Sequence, residues 1–348
     1  MTEQGLARDR FVHVTTTTAI PLADPDLAAR LTDRLALVEE RLRDAVSHAD
    51  SLADEASRHL MNAGGKRLRV VLTLLAAELG DGARREVLDA AVVVELTHLA
   101  TLYHDDVMDS APLRRGAPTA HQVWGNSVAI LTGDLLFARA SSTVAGLGPE
   151  AVRIQSATFE RLCLGQLHET VGPRADDEPV EHYLQVLADK TGSLIATSAR
   201  LGAMFAGCTP DVVSIVAAYG EQIGVAFQLA DDVIDLTSAG AVTGKTPGTD
   251  LREGVPTMPV LLLRARAAGP HATDEDRRTL ALLDADLSDD DALAAAVAAL
   301  AAHPVVDETR ARSVALIRAA TAELDPLPDG PVKDALVAFA DLLVDRAS

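Results

Sequence analysis

The chain has 348 residues, 48% apolar and only 3% aromatic, with a formal net charge of −20. So acidic a chain is not expected to bind nucleic acid, and its Ala- and Leu-rich composition points to an all-α fold with an ample core. It has no uncharged 18-residue apolar run and no apolar h-region behind Arg8, Asp9 and Arg10, so neither a transmembrane segment nor a signal peptide is expected.

Residues 1–25 read as a flexible leader and 26–348 as one domain, because no Gly/Ser linker or composition break divides the chain. Apolar residues at three- and four-residue spacing (Leu31, Leu35, Val38, Leu42) predict one amphipathic helix from Leu27 to about Met61, stopped by Asn62-Ala-Gly-Gly65. Lys66, Arg67 and Arg69 then crowd the start of a second helix, where the macrodipole disfavours cations and a bound anion would reverse the penalty.

A helix from Arg84 to about Met108 carries His98 and ends in Asp105-Asp-Val-Met-Asp109. A loop with Arg114 and Arg115 follows, then helices over Thr119–Ala145, Pro149 to about Val171 and Val180–Phe205, the last with Lys190-Thr191 midway. Asp211–Leu236 ends in a second acidic motif, Asp231-Asp-Val-Ile-Asp235, followed by a loop containing Lys245. Gly240 stands one position too close to Gly244 for a P-loop. From Pro256 onward four or five further helices serve as scaffold, with Asp274–Asp276 and Asp289–Asp291 as solvated helix starts. Cys163 and Cys208 lack metal-ligand spacing and read as core filler of a reduced, cytosolic protein.

In each acidic motif the first and last Asp stand at i and i+4 on one helix face. Like charges so placed are unfavourable unless cations sit among them, and such oxygen ligands suit Mg²⁺ shared with substrate phosphates. Two copies, plus Lys66, Arg69, Arg114, Arg115, Lys190 and Lys245, suggest ionisation of one diphosphate ester beside another within apolar helices that exclude water.

Five motifs agree in order and type with one family: Gly64-Gly-Lys-Arg-Leu-Arg69, Asp105–Asp109, Leu113-Arg-Arg-Gly116, Lys190-Thr191, and Phe227-Gln-Leu-Ala-Asp-Asp-Val-Ile-Asp235 with Gly244-Lys245. Over roughly residues 30–345 the chain resembles the trans-isoprenyl diphosphate synthases, the polyprenyl synthetase family. The resemblance implies an isoprenoid-synthase helical bundle around a central apolar cavity, and a cytoplasmic homodimer loosely associated with membrane for product release. It implies that Asp105, Asp106, Asp109 and Asp231 hold Mg²⁺, about three ions per site when substrate is bound, with Asp232 and Asp235 completing the second cluster. Arg114, Lys190 and Lys245 would grip an allylic diphosphate, and Lys66, Arg69, His98 and Arg115 isopentenyl diphosphate. Thr191 and Gln228 would line the cationic centre. The diphosphate leaves, the isopentenyl double bond attacks C1 of the cation, and a proton passes to the departing diphosphate.

One position departs from the family pattern: Val255 stands where members often carry Lys, and Arg252 is the nearest candidate substitute. In the family this chain resembles, bulky residues just before the first motif block the growing product. Here Thr101 and Ala100 are small and Leu96 and Thr97, a turn further, modest, so the resemblance implies a medium- or long-chain product, destined for a quinone side chain. Tyr103 is bulky but points elsewhere on the helix. A geranylgeranyl diphosphate synthase for terpenoids or carotenoids is the alternative. A class I terpene cyclase lacks its second motif here, and a non-catalytic subunit of a heterodimeric synthase would have lost its Asp clusters.

Overall fold

A computed structural model describes residues 22–237 and 247–344. Among these the chain is helical apart from one two-residue hairpin, β1 (Leu113–Arg114) and β2 (Ala117–Pro118), paired antiparallel. The helices before the second acidic motif are α1 (Pro25–Ala45), α2 (Ser51–Asn62), α3 (Leu68–Ala77), α4 (Arg85–Met108), α5 (Ala120–Trp124), α6 (Asn126–Ala145), α7 (Pro149–Val171), α8 (Pro179–Leu187) and α9 (Ser193–Phe205). The motif itself ends α10 (Pro210–Thr237). Beyond it lie α11 (Thr249–Glu253), α12 (Met258–Ala268), α13 (Asp274–Leu283), α14 (Asp290–Ala301), α15 (Pro304–Glu323) and α16 (Pro331–Val344).

Three expected long helices are broken. The first divides because Asp50 caps a new helix, its carboxylate accepting from the Ala53 amide at 2.9 Å. The helix expected over 119–145 breaks at Gly125, whose φ of 84° no β-branched residue would adopt. Between α8 and α9 a π-turn spans Ala188–Gly192 and inserts one extra residue without ending the helix.

The bundle packs around α4, α9 and α10. One apolar cluster runs from Leu27 in α1 through α3, α4 and α10 to Leu343 in α16. A second joins the end of α10 to α12, α14 and α15, and both touch Leu316. Tyr219 ties α10 to α16, its hydroxyl donating to the Leu336 carbonyl at 2.6 Å. Where α3 crosses α9 the backbones come so close that a Cβ on Gly202 would lie 2.1 Å from the Thr73 carbonyl oxygen.

The acidic third of the chain caps its helices as expected, but Asp276 is not solvated. It lies buried, accepts from the Thr273 amide (2.7 Å) and hydroxyl (2.8 Å), and meets the ring of His303 at 3.1 Å. Those Thr273 hydrogen bonds hold its carboxyl down to about 2. The transmembrane expectation also needs correction: by length and composition alone, α6 and α10 are apolar enough to cross a membrane. Asp134 and Arg139 in α6 and Glu221 in α10 interrupt any uncharged run of 18 residues. α10 is enclosed by α9, α15 and α16, whereas α6 packs one face on α4 and exposes Ile130 and Leu131.

The crossing at Gly202 gives a direct test. Gly202→Ala should destabilise the protein by about 2 kcal/mol, as overpacking against backbone does, and urea unfolding would measure it.

Candidate active site

α4 delivers three side chains to one face by its own pitch. Asp105, Thr101 and His98 stand one and two turns apart, and all three line a cavity of about 1270 Å³. Burial pushes the Asp105 carboxyl up to about 6, with Asp109 adding to the effect and Lys190 opposing it. Asp109 and Lys190 line the same space.

Asp106 faces the other way. It is buried, and Arg114 grips its Oδ1 through Nε and a terminal nitrogen, both at 2.7 Å. The contact holds the β1–β2 hairpin against the end of α4 and leaves Arg114 lining the cavity. Asp106 Oδ2 is enclosed with no protein hydrogen-bond partner. Tyr103, as its helix position implies, points into the core, donating to the Ala56 carbonyl at 2.5 Å and accepting from the Leu60 amide at 3.2 Å.

The opposite side is basic. Lys66, Arg69, His98 and Arg115 all line the cavity. Arg115 adopts a left-handed backbone (φ 54°) and lays its guanidinium over Gly65, within 2.7 Å of where a Cβ would be, while donating to the carbonyls of Leu60 and Gly64. Burial, and then the charges of Arg69, Arg115, Arg67 and Arg114, hold His98 well below its usual range, so its ring is neutral. Burial also lowers Arg69 to about 10, and its Nε is enclosed without a partner. An enclosed orphan donor among mutually repelling cations is a place for a polyvalent anion.

Arg67 also borders the cavity, but its charge is committed elsewhere. Its side chain turns inward, pairing with Glu95 at 2.8 Å and Glu39 at 2.6 Å, and those two carboxylates outweigh burial to raise its pKa. The backbone accommodates this with φ 49°, which makes Arg67 the N-cap of α3 and separates it from Lys66 and Arg69.

Lys190 and Thr191 sit in the π-turn, and both reach the cavity; Lys190 pairs with Glu169 of α7. On α10, Phe227 and Gln228 line the wall, with Asp231 and Asp235 further along the same helical face. Asp231 is half-buried, and Asp235 accepts from the Asp250 amide at 3.4 Å. Asp232 departs from its expected metal and catalytic role. It is buried, accepts the Tyr183 hydroxyl at 2.9 and 3.0 Å and the Met258 amide at 3.1 Å, and so fastens the start of α12. Burial pushes its carboxyl up to about 8. Lys245 lies outside the described residues. Arg252, the candidate substitute at the Val255 segment, is paired with Asp290 instead.

Among the described residues no three carboxylate, imidazole or thiol groups converge on one point. An ion held between the motifs would therefore complete its oxygen shell with substrate and water, the arrangement Mg²⁺ favours.

Below the charged mouth the walls are apolar: Leu72, Leu102, Leu162, Ile195 and an aromatic pair, Phe137 and Phe159, with centroids 4.1 Å apart. Thr101 lines this space, but Ala100 and Leu96 are fully buried in the core behind it. Thr97 is also buried and lies beside Gln155. Cys163 is not core filler: it is exposed and borders the cavity, and Cys208 is half-buried. His104 and Asp134 also line the cavity, paired at 3.4 Å, with the His104 ring filling the space a Gly133 side chain would need. In the sequence the one sign of this pair is Gly133-Asp134 in the middle of an apolar helix.

Arg67→Ala should leave Glu95 buried and unpaired, and cost about 3 kcal/mol or more of stability. Guanidinium-induced unfolding would read this as a lower midpoint.

Residues 50–300 match the polyprenyl synthetase family. A nonaprenyl diphosphate synthase of Mycobacterium tuberculosis (strain ATCC 25618 / H37Rv) is 45% identical over 337 residues, covering 95% of this chain and 98% of its own. Among solved structures, a geranylgeranyl pyrophosphate synthase from Corynebacterium glutamicum, complexed with calcium and isoprenyl diphosphate, is 42% identical with a TM-score of 0.82, covering 94% of this chain and 99% of its own. A polyprenyl synthase from Caulobacter crescentus CB15 with the same ligands is 31% identical, also at 0.82, over 92% and 97% of the two chains. With the acidic and basic sides of one apolar cavity in place, and relatives matched along nearly their whole length, this chain belongs to the polyprenyl synthetase family.

Proposed function

We propose that this prenyltransferase joins an allylic diphosphate to successive isopentenyl diphosphates, giving a medium- or long-chain all-trans polyprenyl diphosphate for a quinone side chain. The observation that carries the reading is the shared cavity, in which carboxylates of α4 face the cationic side chains of Lys66, Arg69 and Arg115 above apolar walls. Its volume of about 1270 Å³ exceeds the roughly 300–1,000 Å³ of ordinary small-molecule pockets.

The carboxylates suit a divalent ion. Burial raises the Asp105 carboxyl even though Lys190 and Arg114 oppose the shift, and Asp109 beside it adds to the repulsion, so a divalent cation among these oxygens would relieve it. Asp105, Asp109, Asp231 and Asp235 would hold about three Mg²⁺ with substrate bound, and the metal would supply neutralisation of the charge that develops on the departing diphosphate. Arg114 and Lys190 hold the allylic diphosphate, Arg114 being fixed by Asp106 and Lys190 by Glu169. Lys66, Arg69, Arg115 and neutral His98 hold isopentenyl diphosphate, the last as a hydrogen-bonding group rather than a charge. As the allylic C–O bond breaks, Thr191 and Gln228 turn oxygen dipoles toward the cation, and the apolar walls keep water away. A C–C bond then forms to the isopentenyl double bond, and the proton is lost to the departing diphosphate.

The growing chain passes Thr101 toward Phe137 and Phe159. The mycobacterial nonaprenyl relative supports a long product. The geranylgeranyl synthase from Corynebacterium glutamicum keeps a shorter one as the second reading. The working unit is a homodimer: α6 and α7 expose Leu131, Leu164 and Val171 outside the cavity lining, apolar side chains that a second copy would cover. Its setting is the cytoplasm, with loose membrane association at product release.

Asp105→Ala and Asp231→Ala should each lower Mg²⁺-dependent incorporation of labelled isopentenyl diphosphate by a factor on the order of 10³ or more, with helix content unchanged by circular dichroism. Retained turnover in either would refute the assignment. Thr101→Phe should shorten the product in chromatographic sizing, whereas Ala100→Phe should chiefly destabilise the fold, since Ala100 has no cavity face.

A further inference from the structure

The π-turn that carries Lys190 and Thr191 is held by a network with no place in the expected chemistry. At such a turn the hydrogen-bond ladder slips from i+4 to i+5, and the Ser193 amide donates to the Ala188 carbonyl. Side chains add to the ladder: the Ser193 hydroxyl donates to the Asp189 carbonyl at 2.6 Å, and Arg161 of α7 donates to the Ala188 carbonyl at 3.3 Å. Arg161 also donates through Nε to Asp189 Oδ1 at 2.6 Å and in bidentate fashion to Glu221 of α10, at 2.8 and 3.2 Å. Gln185, one turn before the bulge, holds the second Asp189 oxygen at 2.8 Å. A single guanidinium thus joins the bulge to the helices on either side of it.

The packing leaves the bulge little latitude. A Cβ on Gly165 would lie 2.7 Å from the Lys190 amide nitrogen, and one on Gly224 would lie 2.6 Å from Gly192 Cα. Backbone therefore meets backbone on both sides, and the extra residue sets the rotation at which Lys190 and Thr191 project. The Arg161 side chain is one-third exposed and outside the apolar core, so its hydrogen bonds rather than its bulk connect it to the site.

We propose that Arg161, clamped between Asp189 and Glu221, is a positioning residue that fixes the π-turn so that Lys190 meets the allylic diphosphate and Thr191 the reacting carbon. The inference rests on the assignment of Lys190 to the allylic side given above. It concerns one substrate only, because Lys66, Arg69, His98 and Arg115 lie on other elements.

Steady-state kinetics of Arg161→Ala, Arg161→Lys, Glu221→Gln and Lys190→Ala, with each substrate varied in turn, test it. Arg161→Ala should raise KM for the allylic diphosphate and lower kcat, with a combined loss on the order of 10- to 100-fold, the scale of a slightly misplaced catalytic group. KM for isopentenyl diphosphate should stay within about twofold and the melting temperature should change little, as for a partly exposed ion pair. Arg161→Lys should recover part of the loss, and Glu221→Gln, which keeps the Asp189 contact, should show a smaller form of it. Wild-type allylic kinetics in Arg161→Ala, or parallel rises in both KM values with a large fall in melting temperature, would overturn the proposal. Lys190→Ala separates the two levels: if it leaves allylic KM unchanged, the assignment of Lys190 fails, whereas an effect there without one at Arg161 removes only the positioning role.

Discussion

The cavity is organised by a charge conflict that the protein leaves unresolved. Arg69, Arg114 and Arg115 line one cavity with His98, which burial and then their field hold neutral, while Asp105 on the same cavity is raised to about 6 by burial. Arranged in water these groups would cost little. In an apolar bundle each lacks part of its hydration, and beyond the Arg114–Asp106 contact the two sides remain separate rather than merging into one ion-pair cluster. Diphosphates and divalent ions settle both halves together, and substrate binding energy can then be released where charge moves during the reaction.

Much of the surrounding structure serves to hold that conflict in place. Arg67 gives its charge to Glu39 and Glu95, which allows Lys66 and Arg69 to face the cavity. Asp106 anchors Arg114, and Asp232 fastens the start of α12 with help from Tyr183. Among the described residues three non-glycines have left-handed backbone, Arg67, Ser110 and Arg115, and the two arginines border the cavity. Local strain concentrated where cations must be aimed is a familiar feature of binding sites. Each motif therefore divides its labour, some members facing substrate and adjacent ones building the frame.

The parts of this arrangement set by local pattern were legible in the sequence. Helical spacing placed Asp105, Thr101 and His98 on one face, and the cavity uses them together. Charge at the head of α3 and the double arginine of the hairpin announced an anion site. What stayed hidden depends on tertiary partners. Nothing local distinguishes Arg67 from Arg69, or Asp232 from Asp231, until Glu95 and Tyr183 arrive from other helices. The π-turn preserves the apolar periodicity on both sides of Lys190, so a single long helix was the natural reading. The family's pattern marks both Thr101 and Ala100 as tunnel positions, whereas the turn of the helix puts Ala100 in the core. Asp276 was assigned to solvent for a similar reason: an acidic run resembles a solvated helix start unless a buried partner such as His303 is known.

The reading implies that chemistry and product length share one helix, with Asp105 at the charged mouth and Thr101 on the apolar wall below. Sizing the products of the unaltered protein with excess labelled isopentenyl diphosphate and a short allylic primer tests this most directly. The account predicts Mg²⁺-dependent formation of a medium- or long-chain polyprenyl diphosphate by successive additions. Products that stop after a single addition, or equal incorporation after the metal is chelated, would contradict it.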